Sequence, residues 1–462
     1  MRVRKFLCWS GLIAALAGAP LTLAQVHEYN LENGLKLLVK EDRRAPVVVS
    51  QIWYRIGSSY EHDGITGISH VLEHMMFQGT EKYPDGEFSR IIAENGGSEN
   101  AFTGKDYTAY FQMLEKSRLE VSLRLEADRM RNLLLSEEEF KKEIEVVKEE
   151  RRLRTDDNPV AYLYEAALAT AFQTAPYRHP IIGWMADIDA MRIDDLRVWY
   201  GRWYAPNNAT LVVAGDVEHE AVYRLTQKYF GPLKAAALLP PRGLPEVTQQ
   251  GPKRITVKRP AELPHLLMAY KTPVLKTVSA LPAAWEPYAL EVLAGVLDGG
   301  NSARLETHLI RGQEVAASVS VSYDLARRLD GLFIIQAVPA RDRTVGEVEQ
   351  AIRAQLDDVK TGEITEQELA RVKAQVVSSD VYERDSMFYQ AMILGIFETV
   401  GLSWRLVDEY VPRIQAVSVE QVKHVANKYF RNDGLTVAVL EPQPKQAAED
   451  AQPQAGSDQG AG

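Results

Sequence analysis

Apolar and polar residues follow two rhythms along this chain, and each change of rhythm marks an element. Residues 29–37 alternate around Asn33-Gly34, a pair that supplies the positive φ of a tight turn and predicts a hairpin. Residues 46–56 are rich in β-branched and aromatic types with partial alternation, which predicts a strand. The period then lengthens to that of a helix over 66–77 and again over 87–93, where Asn95-Gly96-Gly97 stops it. Strand character returns over 107–114. Two long helices are predicted over 118–133 and 136–154. The second opens with Ser136-Glu137-Glu138-Glu139, a capping-box arrangement, and closes before Asn158-Pro159.

The pattern also repeats. Ile188-Asp189-Ala190-Met191-Arg192-Ile193 resembles Ile414-Gln415-Ala416-Val417-Ser418-Val419 at an offset of 226, which also brings Leu211-Val212-Val213 onto Val437-Ala438-Val439. Ser136-Glu137-Glu138-Glu139-Phe140 matches Thr365-Glu366-Gln367-Glu368-Leu369 at 229, and Val71-Leu72 and Gly79 match Val292-Leu293 and Gly300 at 221. One such match arises by chance in any helix, but three in chain order with slowly drifting offsets indicate duplication. The expected fold is therefore α+β: two homologous domains, each a mainly antiparallel sheet packed with helices. They are expected over 25–235 and 253–440, joined by an Ala-, Pro- and Gly-rich linker at 236–252, with a disordered tail at 441–462.

The N-terminus stands apart. A basic start at Arg2, Arg4 and Lys5 precedes an uncharged apolar run and the small residues Thr22 and Ala24, the order of a secretory signal peptide over 1–24. The same stretch is about long enough to act as a membrane anchor instead. Cleavage would leave no stable membrane insertion. Cys8, the single cysteine, lies in this segment, so a mature chain would offer neither disulfides nor thiolate ligands. Losing three cations would take the formal charge from −10 to −13, a poor balance for nucleic-acid binding. A thiol-free secreted chain fits the periplasm of a Gram-negative cell.

The candidate chemistry lies in His70-Val71-Leu72-Glu73-His74. Residues four apart share a helix face, so His70 and His74 can present two imidazoles to one ion, with the Glu73 carboxylate beside them as a general base. Zinc takes such nitrogens and in catalytic sites uses three protein ligands, so a third oxygen or nitrogen donor is needed from elsewhere. The helix predicted over 136–154 offers Glu139, Glu143, Glu145, Glu149 and Glu150. Glu143 and Glu150 are seven apart on one face, whereas Glu149 points elsewhere. A solvated acidic face and an accidental histidine pair are the bland alternatives.

His70-x-x-Glu73-His74 followed by Glu150 resembles the pitrilysin (insulinase) family of inverzincin metallopeptidases, most of all its short-chain branch with the mitochondrial processing peptidase β subunit. The resemblance implies one zinc per chain held by His70, His74 and Glu150, Glu73 as the base, and Glu143 supporting the ligands. It extends through Gly96-Gly97-Ser98-Glu99-Asn100-Ala101-Phe102-Thr103, which in the family is an edge strand that pairs with substrate, so Asn100 and Ala101 are expected to bind peptide.

The second half departs from this chemistry. The positions of His70, Glu73, His74 and Glu150 fall there on Glu291, Ala294, Gly295 and Ser379. Many relatives carry a substrate-contacting Arg and Tyr after a segment like Ser302-Ala303-Arg304-Leu305, but the expected positions hold Ile310 and Ala317. The expected function is a zinc endopeptidase acting on peptides or unfolded segments. Its expected partner is a related zinc-less subunit in a heterodimer, with a homodimer as the alternative. A non-catalytic scaffold subunit is the rival function.

Overall fold

The computed structural model describes residues 25–84, 86–238, 245–278 and 282–444. The signal-peptide expectation for 1–24 therefore lies outside the described residues, and so do 239–244 of the expected linker.

Six strands form the first sheet: β1 Val26–Asn30, β2 Lys36–Glu41, β3 Val47–Tyr54, β4 Ser98–Thr103, β5 Thr108–Glu115 and β6 Ala209–Gly215. Their order is β1-β2-β6-β3-β5-β4. Five strands form the second: β7 Lys253–Pro260, β8 His265–Thr272, β9 Ala316–Ser322, β10 Gly331–Pro339 and β11 Leu435–Gln443, in the order β7-β11-β8-β10-β9. Without β1 the two orders are the same, and each sheet has one parallel pair, β2 with β6 and β7 with β11. The repeat read from sequence is thus a repeat of topology. At the offset of 226, helix Ile193–Trp203 falls end to end on Val419–Tyr429, and the first residue of β6 falls on that of β11.

Local sequence accounts for the elements around the site. The β1–β2 hairpin turns at Gly34, whose φ of 88° is the left-handed region a side chain disfavours. Ser136 caps helix Glu137–Arg151 by accepting from the Glu139 amide at 3.2 Å, although only this half of the expected capping box forms. One boundary needs correction. The chain does not leave the fold at 441, because β11 runs on to Gln443, pairing Glu441, Pro442 and Gln443 with Lys258, Arg259 and Pro260 of β7. Residues beyond 444 lie outside the described set.

The two halves exchange helices. Helix Pro159–Ala171, from the first half of the sequence, buries Leu163 and Ala167 against Val257, Leu267, Ala269 and Leu440 of the second sheet. Helix Met387–Thr399 returns the arrangement by packing on β3 and β6 of the first sheet. It approaches so closely that a Cβ on Gly395 would lie 2.2 Å from the Trp53 ring, so only glycine fits there. Each apolar sheet face is thereby covered by a helix from the other copy. Arg328, between β9 and β10, adds a polar tie by reaching Asp106 and the Ser59 carbonyl of the first half.

Glu246 clamps the halves from the linker side. Its carboxylate accepts from the amides of Gln173, Thr174 and Ala175 at 2.8 to 3.1 Å and pairs with Lys271 of β8. Burial alone would raise its carboxyl, but Lys271 and the three amides outweigh that and hold it down at about 2. A carboxyl lowered in the folded state adds stability above its unfolded pKa of about 4.3 and loses it as pH falls toward the folded value. The urea midpoint of the native chain is therefore expected to fall between about pH 5 and 2 more steeply than that of Glu246→Gln. Parallel profiles for the two proteins would contradict this role.

Candidate metal centre

The motif histidines ride on helix Ile68–Met75. Its buried face, Ile68, Val71, Leu72 and Met75, turns His70, Glu73 and His74 the other way, toward an open cavity of about 1140 Å³. The helix start is held by the Glu61 carboxylate, which accepts from the Gly67 and Ser69 amides at 2.7 and 2.9 Å. Burial pushes this carboxyl up to about 7, with those two amides opposing. Gly67 also lies against the chain at Ile182, where a Cβ would come within 2.4 Å of the carbonyl oxygen. The helix is thus positioned by backbone contacts at its first turn.

Helix Glu137–Arg151 packs beside it through Phe140, Ile144 and Val147, and its Glu143 and Glu150 face the histidines. Arg151 anchors its end by pairing with Glu165 at 2.9 Å and donating to the Gly183 carbonyl at 2.7 Å. Glu149, as expected, points into solvent and pairs with Arg152.

One Glu150 oxygen, Oε2, lies 3.6 Å from His70 Nε2 and 3.4 Å from His74 Nε2. These separations are long for direct N–H···O bonds, which run at about 2.7–3.2 Å. They fit instead the edge of a tetrahedron with metal–ligand bonds of about 2.1 Å, which is about 3.4 Å. All three donor atoms lie within 4.8 Å of one another. The other ring nitrogen of His74, Nδ1, donates to Glu143 Oε2 at 3.1 Å, so that Nε2, on the side of Glu150, is the nitrogen that would give its lone pair to an ion once its proton is displaced. Gln78 holds the second oxygen of Glu143 at 2.9 Å. Arg154 holds the second oxygen of Glu150 at 2.7 Å. The donor set therefore fits zinc in number, type and spacing.

The electrostatics call for a cation at this point. Burial acts to lower the His74 imidazole, but Glu143 and Glu150 outweigh it and raise it to about 9. Burial, and then the neighbouring His74, push His70 down, so it is the neutral member of the pair. Burial raises the Glu73 carboxyl, while a hydrogen bond donated by Thr103 opposes the rise. Thr103 engages Glu73 Oε2, so Oε1 is the oxygen left to handle a proton.

The β4 strand forms the outer edge of the first sheet and borders the same cavity. Asn100 is exposed there, and its side-chain oxygen accepts from the Ala101 amide at 2.8 Å. Gln336 of β10 reaches the cavity from the second half. Glu291, Ala294, Gly295 and Ser379 line a separate cavity of about 860 Å³, and among the described residues no metal-competent group occurs with them. Ile310 closes a turn and Ala317 lies on β9, while Arg311 donates to its own Asn301 carbonyl. Thr103, Arg151, Arg154 and Glu61 were not singled out from sequence, although Thr103 stands in the very segment that carries Asn100.

Two sheets of one topology, with His70, His74 and Glu150 clustered beside the half-buried Glu73 in the first half and no like cluster at the matching positions of the second among the described residues, define a duplicated α+β fold with a candidate metal centre in one half. The chain belongs to the insulinase (peptidase M16) family. A model of that family, described as Insulinase (Peptidase family M16), matches residues 36–184, and one described as the Peptidase M16 inactive domain matches 190–376. The chain is 30% identical to the zinc protease PqqE of Helicobacter pylori over 95% of its own length and 99% of that protein. A crystal structure of a protease from Helicobacter pylori superposes with a TM-score of 0.85 at 30% identity, over 91% of this chain and all of the other. The fold also resembles the periplasmic protease PqqL of Escherichia coli, with a TM-score of 0.74 at 18% identity. The match spans 90% of this chain but 48% of PqqL.

Proposed function

We propose that the chain is a zinc-dependent endopeptidase that cleaves extended peptides or unfolded segments. The observation that carries the reading is the convergence of His70 Nε2, His74 Nε2 and Glu150 Oε2 at tetrahedral-edge spacing, with the Glu73 carboxylate alongside. Zinc held there would supply a Lewis acid for the scissile carbonyl and bring the pKa of a water near neutrality. Glu73 Oε1 takes the proton of the attacking water and passes it to the leaving amine, while Thr103 keeps the carboxylate from rotating away. Glu143 fixes the His74 ring by holding Nδ1. The β4 edge, with Asn100 and Ala101, receives the peptide backbone as an added strand, which demands little of the substrate's side chains.

The family model described as inactive covers 190–376 and none of these residues, so it lends no weight to a scaffold role. Ile310 and Ala317 supply no polar group to substrate, which supports a second, related zinc-less chain that completes the enclosure. PqqL, about twice as long, shows that such length can occur within one chain. Secretion to the periplasm rests on the first 24 residues. Cleavage of a quenched peptide should stop on removal of zinc by a chelator and return with added zinc. Cleavage that persists in the metal-free protein contradicts the reading.

A further inference from the structure

Four of the nine histidines fall in two clusters, and only one of those clusters belongs to the site above. The other brings together His27 of β1, Glu41 at the end of β2 and His219 at the first position of helix His219–Phe230. Their donor atoms also lie within 4.8 Å of one another, although the residues are up to 192 positions apart in sequence. All three side chains are half-buried, so a cation could reach them without the fold opening.

We infer that His27, Glu41 and His219 form a second metal site, for a divalent first-row cation such as zinc, nickel or copper. Two imidazoles and a carboxylate suit these ions and not magnesium or calcium, which favour oxygen ligands. His219 Nδ1 lies 2.5 Å from the Tyr29 hydroxyl. With Nδ1–H donating to that oxygen, the Nε2 lone pair is free for a cation, the role Glu143 plays for His74. Glu41 is an anion. Burial acts to raise its carboxyl, but the His219 amide, at 2.9 Å from Oε1, and Arg43 together lower it.

Two features set the site's strength. Arg43 sits 3.3 Å from Glu41 Oε2 and competes with a cation for the carboxylate. The His27 and His219 rings stack at 3.6 Å with only 7° between their planes, so one ring must turn before both lone pairs meet at a point. His27 makes no side-chain hydrogen bond among the described residues, and its turning costs little beyond the stack. Both features make this the weaker of the two sites.

The cluster stands at the β1 edge of the first sheet, five strand spacings or about 24 Å from the β4 edge that borders the catalytic cavity. An ion there would join β1, which has no counterpart in the second sheet among the described residues, to β2 and to helix His219–Phe230 without touching substrate. It would act as a staple, stabilising the fold by an amount that grows with the logarithm of the free metal concentration above its Kd.

The test is a titration of the metal-stripped full chain with zinc alone, counting bound ions by mass spectrometry after equilibrium dialysis. The wild type should bind two ions. His27→Ala and His219→Ala should each bind one while cleaving peptide at the wild-type rate, which also shows that they fold. His70→Ala should bind one and cleave nothing, so failure of the catalytic reading would appear separately. The second equivalent of zinc should raise the thermal midpoint of the wild type but not that of His219→Ala. A count of bound ions that His27→Ala and His219→Ala leave unchanged from the wild type overturns the inference, whatever His70→Ala does.

Discussion

Glu73→Gln is expected to bind zinc as the wild type does and to lose peptide cleavage by about a thousandfold, within the range general-base catalysis contributes. The substitution keeps the size of the side chain and its capacity to accept from Thr103. It removes none of the three donor atoms, which belong to His70, His74 and Glu150. What it removes is the one carboxylate oxygen free to carry a proton. Zinc content by mass spectrometry, beside turnover of a quenched peptide, separates the two roles. Undiminished cleavage would remove Glu73 from the chemistry.

Glu126→Ala is expected to give the largest loss of stability, about 3–5 kcal/mol, because it strands a buried guanidinium. Glu126 and Arg129 are each 1% exposed and pair at 2.5 and 2.9 Å. Arg129 also lies over the rings of Phe88, Tyr110 and Phe77 at 4.1, 4.6 and 5.4 Å. Gln112 extends the network, donating to Glu126 at 2.6 Å and accepting from Ser122 at 2.8 Å. Removing both charges should cost less than removing one, since a buried pair barely repays its own desolvation. Urea unfolding should therefore place Glu126→Leu/Arg129→Met above Glu126→Ala. The reverse order would show that the pair itself is strongly stabilising.

The parts of this molecule written in local spacing could be read before its structure. His70 and His74 share a helix face by their four-residue separation, and Gly34 and Gly96 mark turns by their freedom at positive φ. Duplication was legible because the constant offset of 226 preserves whole elements. Glu150 is different. Spacing alone put it on one face with Glu143, and the family resemblance was needed to choose it over the six other glutamates of the same helix.

The exchange of helices between sheets was not legible. Pro159–Ala171 and Met387–Thr399 are apolar around most of their girth, so their patterns state burial without stating the partner. Arg151 and the His27–His219 pair were hidden for a related reason. Their partners lie in other elements, and charge or ring chemistry has no period that points across a fold.

The central claim is that His70, His74 and Glu150 hold one zinc ion. Anomalous diffraction at the zinc absorption edge, from crystals of the zinc-loaded protein, tests it most directly. A peak about 2.0–2.2 Å from His70 Nε2, His74 Nε2 and a Glu150 oxygen is the expected result. A map with no peak among those atoms, or with Glu150 turned away from the histidines, would contradict it.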